Sequence, residues 1–150
     1  MPSKRRRSET KSMRRGRQCA AFPFQERDGE THVLLVTSRE TKRWVLPKGW
    51  TEKLGCDAEQ AAREAYEEAG IIGRIGTVSI GAYAYPKRLN CGATVTCNVE
   101  VFPLAVARLL DDWPEKSQRE RRWFTLAEAA MAVEEGGLVT LMLQLAAPPR

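Results

Sequence analysis

A chain of 150 residues, 43% hydrophobic and 29% charged, suits one domain with a single sizeable core. No stretch approaches the ~18 apolar residues of a membrane span, so no membrane partner is expected. The formal net charge of +5 is unevenly placed. Of 24 basic and 19 acidic residues, eight and one lie in Met1 to Arg17, so that segment carries +7 and the rest −2. Four cysteines form no CxxC pair and His32 is the single histidine, which gives no zinc constellation and points to reduced thiols in a cytoplasmic protein.

The first segment, 1–17, reads as a disordered basic tail. Lys4-Arg5-Arg6-Arg7 and Arg14-Arg15 are interspersed with Ser and carry no apolar run. It is Arg- and Ser-rich like a transit peptide, but has neither the apolar residues of an amphipathic helix nor the h-region of a secretory signal. Attraction to RNA or polyphosphate is its sharper alternative role. The domain then runs over 18–150. Gln18 to Gln25 is expected as a strand ending at Pro23, Asp28-Gly29 as a turn, and His32 to Ser38 as a buried strand completing a hairpin.

Arg39, Lys42 and Arg43 cluster before Trp44-Val45-Leu46, a short strand stopped by Pro47; Lys48-Gly49 opens a loop where the backbone can approach a ligand. With Lys48 and Lys53 these cations mark a place for an oligophosphate, because Arg forks match phosphate oxygens and Lys adds point charge.

The spacing predicts a helix over Ala58 to Ala69. Ala58, Ala61, Ala62, Ala65 and Ala69 form a small-residue stripe on one side, and Glu64, Glu67 and Glu68 gather at i, i+3 and i+4 on the other. Asp57 and Gln60 read as a capping-box pair, and Gly70 as the left-handed residue that ends the helix. Adjacent carboxylates repel unless a cation sits between them, and hard oxygen donors point to magnesium; a solvated helix face is the plainer alternative.

Downstream, Val78 to Tyr85 and Ala93 to Ala107 are expected as central strands, the second carrying Glu100. Pro86 to Gly92, with Lys87 and Arg88, is a hairpin connection or a substrate-facing lid. Asp111 to Glu115 is a further loop, and Arg121 to Phe124 a strand. Thr125 and Glu128 form a capping box for a helix over Leu126 to Glu134, Gly136-Gly137 breaks it, and Leu138 to Leu145 is a closing helix.

Gly49, Arg63, Glu64, Ala65, Glu67, Glu68, Gly70 and Ile71 stand at the spacing of the Nudix hydrolase signature, which this chain resembles. One fixed position departs: the signature's first glutamate is Gly55 here, with Glu52 and Glu59 out of register on either side. The resemblance covers Gln18 to Leu145 and implies an α+β fold, an α/β/α sandwich with a mixed, partly open sheet. Its metal-binding acids correspond to Glu64, Glu67 and Glu68, with Mg2+ or Mn2+ as cofactor. Pro47-Lys48-Gly49-Trp50 with its basic flanks is most similar to the branch acting on diphosphoinositol polyphosphates and dinucleoside polyphosphates. The reaction implied is hydrolysis of a diphosphate linkage. Glu64 and Glu68 would bind metal, Glu67 would be base or further ligand, Arg63 would orient a glutamate, and a backbone carbonyl near Lys48 or Gly49 would complete the shell. Glu100 is an alternative base. Arg39, Lys42, Arg43, Lys48, Lys53 and Arg88 would bind substrate. Two other functions stay open: an RNA 5′-end pyrophosphohydrolase using the basic tail, and a Nudix-fold binding or regulatory module weakened by Gly55.

Overall fold

The computed structural model describes residues 16–52, 55 and 57–147. The expected tail, apart from Gly16 and Arg17, and the side chains of Lys53 and Cys56 lie outside that range. In chain order the elements are β1 (Arg17–Arg27), β2 (Glu30–Thr37), β3 (Trp44–Val45), β4 (Lys48–Trp50), α1 (Asp57–Ala69), β5 (Ile71–Ile75), β6 (Gly81–Arg88), β7 (Thr94–Leu109), a 3-10 turn (Lys116–Gln118), β8 (Arg121–Thr125), α2 (Leu126–Ala132) and α3 (Gly136–Ala146).

Two long strands form the seam of the mixed sheet, β1 and β7 running parallel from the Arg17–Asn98 pair to the Phe24–Ala105 pair. Each seam strand forks on its outer edge. Gln18 to Ala20 of β1 pair with β4, and Phe24 to Arg27 pair with β2. Likewise β7 pairs with β6 over Thr94 to Val101 and with β5 over Leu104 to Leu109. Pro23, expected to end β1, sits inside it. Its missing N–H falls between Ala20 and Phe24, where one edge partner leaves and the next begins, so no regular ladder bond is lost.

Alternation divides the sheet into two packed faces. Cys19, Ala21, Leu34, Val36, Phe102 and Leu104 pack against Ala61, Ala65 and Ala69 of α1. Ala20, Phe22, Val33, Leu35, Val99, Val101 and Phe124 pack against α2 and α3 through Ala129, Leu138, Leu141 and Met142. The result is the α/β/α sandwich with an unclosed sheet that was expected.

Several local expectations change. Lys48-Gly49 belongs to a three-residue strand rather than an open loop, because β1 offers it a free edge. The strand β5 was not expected, and β6 continues through Pro86 to Arg88, leaving only a tight turn from Leu89 to Gly92. Gly136-Gly137 opens α3 instead of separating helices. The first turn of a helix does not need its N–H groups bonded within the helix, and a Cβ on Gly137 would lie 2.8 Å from Tyr83 Cβ. The Thr125–Glu128 capping box is present as expected. No helix among the described residues is long and apolar enough to cross a membrane.

Candidate active site

With Ala61, Ala65 and Ala69 fully buried, α1 lies close on the sheet and turns its acidic flank toward the fork where β4 meets β1. The approach is tight at Gly49, where a Cβ would stand 2.4 Å from Glu64 Cδ and Oε1. Only glycine leaves room for that carboxylate against the strand. Gly49 is in register with Cys19, and Cys19 with Glu100, so one row crosses β4, β1 and β7. Because Cys19 is in the core beneath α1, Glu100 faces the same side as Glu64.

Glu64 and Glu68 stand one turn apart on α1, and Gln60 Nε2 donates to Glu64 Oε1 at 2.7 Å. Burial raises the Glu64 carboxyl. It pushes Glu68 up to about 8, with Arg119 opposing and Glu64 adding to the rise. Burial lowers the Lys48 ammonium, while Glu135 first and then Glu68 pull it back up. Glu67 is half-buried and acts on Glu64 as a like charge. The expected three-acid cluster is thus a close pair with a third acid beside it, and no group of three His, Cys, Asp or Glu among the described residues is gathered as a metal cluster. The donor set fits a hard divalent cation all the same. Burial and the neighbouring like charge make both carboxylates costly to ionise, a cost that a cation would relieve, and Gly49 puts no side chain in the way.

The other anticipated residues are dispersed. Arg63 Nη1 lies 3.8 Å from Glu52 Oε2, with both side chains more than half exposed, so among the described residues it pairs with the segment before α1 and not with Glu64, Glu67 or Glu68. The Asp57–Gln60 capping box is not formed, because Gln60 is drawn to Glu64 and Asp57 Oδ2 pairs with Arg17 at 3.6 Å. Arg39 and Lys42 occupy the turn after β2 and reach Gln118 side-chain and backbone oxygens at 3.5 and 3.2 Å. Arg43 pairs with Glu134 at 3.1 Å. Arg88 is exposed at the far end of β6, six residues beyond the Glu100 partner Ala82, or about 20 Å along the strand.

A feature not anticipated lies after β7. The last carbonyls of α1 and its cap accept hydrogen bonds from Glu115 N (to Glu67, 3.0 Å), Trp113 Nε1 (to Glu68, 2.9 Å), Arg121 Nη1 (to Ala69, 2.7 Å) and Leu110 N (to Gly70, 2.8 Å). These satisfy the groups a helix end leaves open. The last turn of α1 has no basic residue of its own, and that absence was the available signal that cations would come from elsewhere. Beside this segment is a cleft of about 440 Å³ lined by Thr37, Lys42, Trp44, Lys116, Gln118 and Arg119, among others. Arg119 joins cleft to helix, with Nη1 3.7 Å from Glu68 Oε1.

The NUDIX domain family model matches residues 14–142. The chain is 38% identical to Nudix hydrolase 12, mitochondrial, of Arabidopsis thaliana, over 65% of this chain and 49% of that protein. It is 29% identical to diphosphoinositol polyphosphate phosphohydrolase 2 of Rattus norvegicus, over 89% and 70%. It spans about half the length of the plant Nudix hydrolases it matches. A C. elegans Ap4A hydrolase binary complex superposes with a TM-score of 0.65 at 17% identity, covering 86% of this chain and 93% of the other, a likeness of fold. A signature helix held against a glycine on a sheet edge, within a mixed unclosed sheet covered on both faces, agrees with that match: the chain belongs to the Nudix family.

Proposed function

We propose that the chain is a metal-dependent pyrophosphohydrolase that cleaves a diphosphate linkage in a small polyphosphorylated substrate, a diphosphoinositol polyphosphate or a dinucleoside polyphosphate. The observation that carries this reading is the pair of half-buried Glu64 and buried Glu68 set against Gly49, one ion pair away from a cleft bearing Lys42, Lys116 and Arg119. Glu64 and Glu68, with a backbone carbonyl near Gly49, would hold Mg2+ or Mn2+. When bound, such a cation neutralises phosphate charge and lowers the pKa of water. Glu67 on the helix and Glu100 on β7 are the two groups able to accept the proton from the attacking water. The cations of the cleft, together with Lys48, would carry the substrate's remaining phosphates. A cytoplasmic location is part of the same reading.

The test is a panel of inositol pyrophosphates, dinucleoside polyphosphates, nucleoside triphosphates, nucleotide sugars and triphosphorylated RNA, each with Mg2+ and with chelator. Chelator-sensitive turnover of the first two classes is the expected result. Preference for RNA ends would replace the small-molecule reading, and binding without turnover in any arm would leave a ligand-binding module.

A further inference from the structure

We infer that Arg119 is a positioning residue for Glu68, taking the part the sequence pattern gives to Arg63. Three contacts fix its guanidinium. Nε donates to Glu115 Oε1 at 2.8 Å, Nη1 donates to the Thr37 carbonyl at 3.0 Å, and the same Nη1 stands 3.7 Å from Glu68 Oε1. The first two are hydrogen bonds; the third is an ion pair without full hydrogen-bond geometry, so Arg119 is held from behind and aimed at Glu68. Both side chains are enclosed, at 10% and 6% exposure, whereas Arg63 and Glu52 stand at 59% and 58%. Solvent screens the exposed pair far more than the enclosed one.

The anchors are themselves tied to the helix. Glu115, which holds Nε, bonds through its own N–H to the Glu67 carbonyl. Thr37 ends β2, and its hydroxyl accepts from Glu120 N at 2.9 Å. Arg119 therefore fixes Glu68 relative to the end of β2, the 3-10 turn and the cleft together. A carboxylate that must ligate a cation needs a partner that sets its orientation, and loss of such partners typically lowers metal affinity or activity 10–100-fold.

The inference rests on the hydrolase reading, and Mn2+ binding followed by electron paramagnetic resonance tests it apart from turnover. In Arg119→Gln, Mn2+ affinity and kcat should each fall about tenfold or more with KM within about twofold, Arg119→Lys should recover part of the loss, and Arg74→Gln, at an exposed position of β5, should leave all three within about twofold. Should Arg119→Gln fail to fold, Glu115→Met keeps the arginine and removes the acceptor of its Nε, with a smaller fall in Mn2+ affinity expected. Unchanged Mn2+ affinity in the folded variants with a raised KM would overturn the inference and make Arg119 a substrate contact. A wild-type chain that neither binds Mn2+ nor turns over any substrate overturns the hydrolase reading, and this inference with it.

Discussion

Glu64 lies so close to Gly49 that a methyl group on residue 49 would stand 2.4 Å from its carboxyl carbon. The atom in the way is the far end of a flexible side chain, so Gly49→Ala should fold by displacing Glu64. We expect kcat to fall by at least about tenfold with a Tm change under about 4 °C. Wild-type kcat in Gly49→Ala would mean that the site does not use this carboxylate position.

Loss of charge at the paired acids tests the site directly. Glu64→Gln and Glu68→Gln keep shape and should each lower kcat by about two to three orders of magnitude, and chelator should abolish wild-type activity. Comparing Glu67→Gln with Glu100→Gln then separates the two candidate bases. Only the base variant should lose kcat while keeping Mn2+ affinity.

The raised Glu68 carboxyl ties stability to pH in metal-free protein. Its folded value of about 8 lies above its ordinary value of 4.5, so between them the folded chain keeps a proton that the unfolded chain releases. That contribution is complete below about pH 4.5 and is lost as pH rises through about 8. Thermal melts in chelator should show Tm falling from about pH 5 to about pH 9, more steeply than in Glu68→Gln. Added Mg2+ should flatten the fall, since it favours the ionised form.

Arg121 closes the carbonyl end of α1, donating to Ala69 and Leu110 oxygens at 2.7 Å each while stacking 3.9 Å from the Trp113 ring centroid. Arg121→Met leaves two carbonyls open and should cost about 3 kcal/mol, or roughly 6–12 °C in Tm. Calorimetry would show it, and an unchanged Tm would mean that water replaces the guanidinium at little cost.

The basic segment before residue 16 holds none of the proposed ligands. Its deletion should leave kcat/KM on small diphosphates within about twofold. On RNA ends, deletion should flatten the salt dependence of binding by about 0.7 per lost phosphate contact, if that segment engages the strand.

What could be read from sequence was what is local. The i, i+3, i+4 glutamates, the alanine stripe and the left-handed Gly70 (φ 65°) follow from helical geometry and need no knowledge of the rest of the chain. The fork at Pro23 and the strand identity of Lys48-Gly49 depend on which edges β1 leaves free, which no window of sequence contains. The strand β5 reads Ile-Ile-Gly-Arg-Ile with three consecutive exposed residues, so it shows no alternation. Asp57 and Gln60 had capping-box spacing, yet the half-buried Glu64 carboxylate competed for the Gln60 amide and took it. The role of Arg119 was invisible because, of its three partners, only Glu115 is local, while Thr37 and Glu68 lie 82 and 51 positions away.

The clamp on α1 also orders the events of synthesis. Its donors lie 45 residues downstream of the Glu68 carbonyl at Trp113 and 52 downstream of the Ala69 carbonyl at Arg121. A nascent chain that has exposed only the signature helix therefore carries it with an open end and with Glu68 lacking its arginine. Glu64 and Glu68 reach their final arrangement only once the segment after β7 has emerged and folded back. Chains arrested before Leu110 should show weak hydrogen-exchange protection at the end of α1, and chains extended past Thr125 should gain it in one step.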